Sequence, residues 1–141
     1  MESPNRHRIL YAEDNEDSRL MVCVMCEFTD IEVVTAQTVA EAWKLAQSER
    51  FDLYLLDLRF TDGDGFELCR NLRQFAPQTP ILIYSGCAFE ADKEKGLAAG
   101  ANDYLTKPYQ GDLCVTIRQN IEQSKKSIRQ TEAVESNRAY L

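Results

Sequence analysis

Polar residues close four short apolar runs in this chain: Glu13 and Asp14 follow Arg8-Ile-Leu-Tyr-Ala12, Asp57 follows Phe51-Asp-Leu-Tyr-Leu-Leu56, Ser85 follows Pro80-Ile-Leu-Ile-Tyr84, and Lys107 follows Asn102-Asp-Tyr104-Leu-Thr106. Leaving Asp57 ionised at the edge of an apolar segment costs several kcal/mol unless a cation, a partner or a cluster of donors compensates. A turn or helix cap would explain such an Asp, but Asp62-Gly63-Asp64-Gly65, set directly before the next amphipathic segment, fits that role better. Three carboxylates brought within about 5 Å of one another repel by roughly 3 kcal/mol per pair at an effective dielectric of about 20. A hard divalent ion relieves that repulsion. Oxygen ligands without His or Cys favour Mg2+ or Mn2+ over zinc, and so few carboxylates with room for water suit Mg2+ better than a calcium cage. Beside such an ion and Lys107, an Asp57 oxygen is a nucleophile flanked by positive charge, and aspartyl phosphate is a product of that chemistry. Ser85 can donate a hydroxyl to a phosphoryl oxygen, and Lys107 can supply a point charge.

This chemistry works only if the chain brings these residues to one edge. The run before Asp57 lacks alternation and carries aromatic and branched residues, which predicts a strand buried on both faces. Residues 8–12, 31–35, 80–84 and 102–106 also read as strands. Between them, residues 16–28 put Leu20, Val24 and Phe28 on one stripe, widened by Met21 and Cys23, so an amphipathic helix is expected. Thr38 and Glu41 form a capping-box pattern ahead of a helix whose packing face is Ala42, Trp43 and Ala46. Residues 66–75 repeat apolar positions at helical spacing and stop before Pro77. Residues 90–100 predict a short, more exposed helix with Gly100 as its stop, and 112 to about 126 a last helix with Leu113, Ile117 and Ile121 on one side. Strand and helix thus alternate about five times with short connections. The expected class is α/β, a doubly wound five-stranded parallel sheet with helices on both faces and right-handed crossovers. Such sheets carry their sites at the carboxyl ends of the strands, where Glu13, Asp14, Asp57, Ser85 and Lys107 all fall.

A chain of 141 residues predicts one domain with a single core, which places any output module on another chain. The net charge of −7 disfavours direct nucleic-acid binding, for which Lys125, Lys126 and Arg129 offer only a thin basic patch. Divalent cations and basic protein surfaces suit it better. No segment approaches the length of a membrane span, and residues 1–8 are polar with a proline, so no membrane association and a cytoplasmic location are expected. Cys23-Val-Met-Cys26 has metal or redox spacing, but no second Cys or His pair answers it and it lies inside a helical pattern, so buried reduced thiols are expected. Residues 125–141 form a polar extension, helical or disordered, in which Ile128, Val134 and Leu141 stand far apart. A dimerisation or partner segment is the sharper alternative there.

The acidic pair Glu13-Asp14, the strand-end Asp57, Ser85 and the dipeptide Lys107-Pro108 together resemble the receiver domain of two-component response regulators, over about residues 7–124. The resemblance implies the flavodoxin-like strand order 2-1-3-4-5. It makes Asp57 the phosphoacceptor and Asp14 a direct ligand of Mg2+, with Mn2+ as a substitute. Glu13 acts mostly through water, and the Arg59 main-chain carbonyl is a further ligand. Ser85 and Lys107 become contacts to the phosphoryl group. Tyr104 becomes the switch aromatic that turns inward with Ser85, and the bond before Pro108 is expected to be cis. The implied partners are a histidine kinase or phosphotransfer protein and a downstream protein target or output domain, with a homodimer possible. Two departures stand out: Thr61 replaces the family's usual proline four residues past the phosphoacceptor, which suggests a looser loop, and Arg59 puts a long cation beside the site.

Other functions compete. A phosphatase of the haloacid dehalogenase class also uses a strand-end Asp, Mg2+, a Ser or Thr and a Lys, but it needs a second Asp two residues after the nucleophile, where this chain has Arg59. A flavin-binding module would want hydroxyls or free amides after the first strand, where this chain is acidic. A receiver fold serving as a constitutive interaction module is the third alternative. The expectation is a signalling phosphoacceptor with self-catalysed phosphorylation and dephosphorylation, and no turnover enzyme.

Overall fold

In the computed structural model, which describes residues 6–139, strand β1 (His7–Ala12) lies between β2 (Ile31–Ala36) and β3 (Leu53–Leu56). Beyond β3 the sheet continues through β4 (Ile81–Ser85) to β5 (Asp103–Thr106), with every pair parallel. The order is 2-1-3-4-5, as expected. The central strands are buried on both sides because their residues alternate between two apolar layers. Leu10, Tyr54, Leu56, Ile81 and Ile83 face one layer, and Ile9, Tyr11, Leu53, Leu55 and Leu82 face the other.

Helices α2 (Val39–Ser48), α3 (Gly65–Phe75) and α4 (Glu90–Ala99) cover the first layer through Ala42, Ala46, Leu68, Leu72 and Ala99. The predicted caps form. Thr38 Oγ1 accepts from the Glu41 amide at 3.0 Å, and Gly100 ends α4 at a φ of 116°. Helices α1 (Glu16–Cys26) and α5 (Leu113–Ala139) cover the second layer, α5 through the expected Leu113, Ile117 and Ile121.

The packing face of α1 differs from the expected stripe. Val22 and Cys26 are the buried residues, while Leu20, Met21, Val24 and Phe28 stand exposed, Phe28 at 95% and beyond the helix end. Periodicity gives the angular width of an apolar face but not its phase when apolar residues run nearly all round, as they do in Leu20-Met-Val-Cys-Val-Met-Cys26. Helix α5 also runs thirteen residues past the predicted end near Lys126, as far as Ala139. The extension is helical as far as residue 139, while Leu141 lies outside the described residues.

Candidate functional site

Backbone pairing carries past the strand ends and aligns the rim. The Glu13 amide donates to the Ala36 carbonyl, the Asp57 amide to the Ala12 carbonyl and the Lys107 amide to the Ser85 carbonyl, each at 2.8–2.9 Å. With Ala12 level with Leu56 and Leu56 level with Ile83, residues from separate loops are held at one height. Next to this rim Gly65 is required, because a Cβ there would press into the Asp57 carbonyl oxygen and lie 2.6 Å from the Leu58 Cα. Its lack of a side chain lets α3 start against the end of β3. The loop between them folds as a small antiparallel hairpin, Arg59–Phe60 with Gly63–Asp64. Asp64 caps α3 through the Phe66 amide, whereas Asp62 reaches across to the amides of Val39 and Ala40 at 2.9 and 3.0 Å, capping α2. The loop that lacks the family's proline is thus clasped to a neighbouring helix.

Glu13, Asp14 and Asp57 converge: one carboxylate oxygen of each lies within 4.8 Å of the others. Glu13 is almost fully buried and Asp14 exposed, with Asp57 between them in exposure. Lys107 places its ammonium 3.0 Å from Glu13 Oε2 and 3.3 Å from Asp57 Oδ2, above the Tyr84 ring. Asp57 Oδ1 also accepts from the Leu58 amide at 2.6 Å. Burial raises the Glu13 carboxyl to about 7, helped by its hydrogen bond with Asp57 and opposed by Lys107. Burial also pushes Asp57 up, but the Glu13 hydrogen bond, the Leu58 amide and Lys107 outweigh it and hold Asp57 below the ordinary carboxylate value. Burial works against the Lys107 charge, yet its two carboxylate partners raise its pKa overall. Three oxygen donors with no His or Cys, one of them exposed, fit a hard divalent cation that keeps water ligands.

Ser85 is buried at the end of β4, and its Oγ accepts from the Cys87 amide at 3.2 Å. Tyr104 is also buried, and its hydroxyl donates to the Cys87 carbonyl at 2.6 Å, so serine and tyrosine hold one loop from two sides. Gly96 makes room for that ring; a Cβ there would lie 3.1 Å from Tyr104 Cδ2 and 2.7 Å from Ile83 Cδ1. Arg59 is exposed and lines, with Asp14, Asp57, Ser85 and Phe89, a cleft of about 750 Å3. Lys107-Pro108 is cis. All the predicted side chains therefore gather on one rim. Two neighbours escaped sequence reading: Tyr84 under the Lys107 ammonium, and Tyr11, whose hydroxyl lies 3.5 Å from Glu13 Oε2. Both read simply as core strand residues, and only their places beside Ser85 and near Glu13 hinted at more.

The geometry has counterparts among known proteins. The family model described as the response regulator receiver domain matches residues 9–122. The cell cycle response regulator CtrA of Brucella ovis is 37% identical over 119 residues, which make up 84% of this chain and 51% of that protein. This chain thus spans about half the length of the curated relatives it matches. A CheY-like receiver domain protein from Methanospirillum hungatei superposes with a TM-score of 0.81 at 28% identity, covering 86% of this chain and 98% of that one. The chemotaxis protein CheY4 of Vibrio cholerae gives 0.76 at 30% identity, covering 82% and 98%. With the family match running from β1 into α5 and enclosing every strand end of the rim, the chain belongs to the response regulator receiver domain family of two-component signalling.

Proposed function

We propose that Asp57 accepts a phosphoryl group from a histidine kinase or phosphotransfer protein and that the modified chain signals through a protein-interaction face. The observation that carries this reading is the seat of Asp57, between two further carboxylates and the Lys107 ammonium at the carboxyl edge of the sheet. An Asp57 oxygen attacks phosphorus in line, the bond to the donor imidazole nitrogen breaks, and the electron pair leaves with that nitrogen. Glu13, Asp14, Asp57 and the Arg59 main-chain carbonyl would hold Mg2+, or Mn2+ in its place, which supplies positive charge against the phosphoryl oxygens. Lys107 releases Asp57 and pairs with a phosphoryl oxygen, and Ser85 turns its hydroxyl from the Cys87 amide to another. Hydrolysis by water later restores the carboxylate.

Ser85 and Tyr104 share the loop around Cys87, so a shift of Ser85 is felt by Tyr104, and output runs through α4, β5 and the start of α5. The donor meets the opposite side. There Met21, Val22 and Met25 of α1 with Tyr84, Lys107 and Pro108 line an apolar groove of about 400 Å3 that leads to the ammonium. We take residues 7–124 as the receiver and 125–141 as a polar extension, acting in the cytoplasm, with no direct contact to nucleic acid or membrane. Among the described residues no helix is long and apolar enough to cross a membrane.

Acetyl phosphate or phosphoramidate with Mg2+ should add one acid-stable, base-labile phosphoryl group, read by intact-mass spectrometry. Asp57→Asn should abolish the increment with the fold intact, and Lys107→Ala should separate labelling from the conformational response. Labelling at another aspartate, or none with Mg2+ present, overturns the mechanism. Release of inorganic phosphate over many fast turnovers, with no adduct accumulating, would identify a phosphatase instead. The competing reading is a constitutive interaction module. That reading predicts the same partner binding by wild type and Asp57→Asn.

A further inference from the structure

Cys26 ends α1 and Cys114 lies in the first turn of α5, 88 residues apart in the chain, yet their sulfurs stand 3.3 Å from each other. Both are buried, at 2% and 6% exposure, in the apolar layer shared by Val22, Leu113 and Ile117. Cys114 Sγ also donates to the Met25 carbonyl at 3.4 Å, which holds its sulfur against the end of α1. The other cysteines stand elsewhere: Cys69 is in the layer on the opposite face of the sheet, Cys87 is in the loop after β4, and Cys23 is half-buried one turn earlier on α1.

We propose that Cys26 and Cys114 are an oxidant-sensitive dithiol site that closes to an intrachain disulfide, stapling the end of α1 to the start of α5. Sulfurs at 3.3 Å need to approach by about 1.3 Å to reach disulfide length, a movement on the scale of a side-chain torsion adjustment. The oxidant class is a peroxide. Cys114, the less buried of the two, meets it first. Its sulfur attacks one peroxide oxygen, the O–O bond breaks, and water leaves a sulfenic acid at Cys114. The Cys26 sulfur then attacks the Cys114 sulfur, the S–O bond breaks and the S–S bond forms. The departing hydroxide takes the Cys26 proton as a second water. Each sulfur has lost one electron and one peroxide has become two waters. Burial, with the neighbouring Cys114 thiol, pushes the Cys26 thiol well above its ordinary value, so Cys26 stays a thiol until Cys114 has been oxidised beside it. Because the two sulfurs are already neighbours, closure after the first step is intramolecular and outruns exchange with thiols in solution. The staple would tie the end of α1, which borders the apolar groove beside Lys107 at Met25, to α5, which starts two residues after the groove-lining Gly111.

The test exposes the folded chain to hydrogen peroxide at a dose that already oxidises the exposed Met21, then denatures it and alkylates with N-ethylmaleimide. The expected intact mass carries three adducts where the reduced chain carries five, and dithiothreitol restores five. The cross-linked peptide should join the segment holding Cys26 to the one holding Cys114. It should persist in Cys23→Ala and vanish in both Cys26→Ala and Cys114→Ala. Five adducts after that dose, a link that survives Cys26→Ala, or a link found only in a dimer on a non-reducing gel would each overturn the proposal. The wild-type adduct count stands even if a variant folds poorly.

Discussion

Glu13 and Asp57 share Lys107 but divide their charge unequally, because Glu13 is the deeper of the two and keeps its proton to about 7 while Asp57 ionises early. This inequality has a sign. Between the ordinary carboxylate value of 4.5 and about 7 the folded metal-free chain holds a proton on Glu13 that the unfolded chain has lost, so this contribution to stability is full below the window and disappears as pH rises through it. Urea melts of the metal-free protein should show that decline, and Glu13→Gln should flatten it. Mg2+ requires the charged carboxylate, so its affinity should rise over the same range. A decline unchanged in Glu13→Gln would mean that another group titrates there. Gly65 makes a second residue-scale case. Alanine would collide with the backbone of Asp57 and Leu58, which belongs to a packed strand end and cannot yield. Gly65→Ala should destabilise the fold by about 3 kcal/mol in denaturant titration and impair labelling of Asp57.

Element by element, α1 is where burial and periodicity part company. Its outer face carries Leu20, Met21, Val24 and Met25, each at least 41% exposed, next to the groove that leads to Lys107. Exposed apolar residues grouped on one helix face mark an interaction surface. A charge placed there should weaken docking of a protein phosphodonor and leave small-molecule chemistry alone. Val24→Asp is expected to cut the rate of transfer from a phosphohistidine protein at least tenfold while acetyl phosphate labels Asp57 at the wild-type rate. Equal loss in both assays would point instead to damage at the rim. Helix α5 behaves differently along its length. Its first turns are core through Leu113, Ile117 and Ile121, whereas residues 129–137 are exposed throughout. That mostly polar, exposed stretch presents no apolar face to the core.

For the whole molecule, charge and topology work together. A net charge of −7 includes three carboxylates that the parallel sheet forces onto one edge, so a divalent cation binding only the folded state should stabilise it. At a hundredfold excess over Kd the gain is about 2.7 kcal/mol, visible as a rise in melting temperature. Asp14→Ala should lose most of that rise. An unchanged midpoint in the wild type would remove the metal from the mechanism.

Much of this molecule is legible in one dimension. The uninterrupted apolar run before Asp57 dictates a strand buried on both faces, and short alternating segments then require parallel crossovers, so sheet class and the gathering of Glu13, Asp14, Asp57, Ser85 and Lys107 on one rim follow from local pattern and chain direction. Caps such as Thr38, and Gly100 as the stop of α4, are local as well, since each acts within one turn. What depends on rotation or on distant neighbours was decided only in three dimensions. The phase of α1 was one such choice, because seven successive apolar residues leave the inward side to whatever α5 and β1 present. Asp62 bonds to α2 although it sits beside α3 in the chain, and Cys26 meets Cys114 across 88 residues while its sequence neighbour Cys23 does not. The length of α5 was the last. Its polar outer turns bury almost nothing, so no periodic signal marks them, and they stay helical by continuing hydrogen bonds begun in the core, where adding a residue costs far less than starting a new helix.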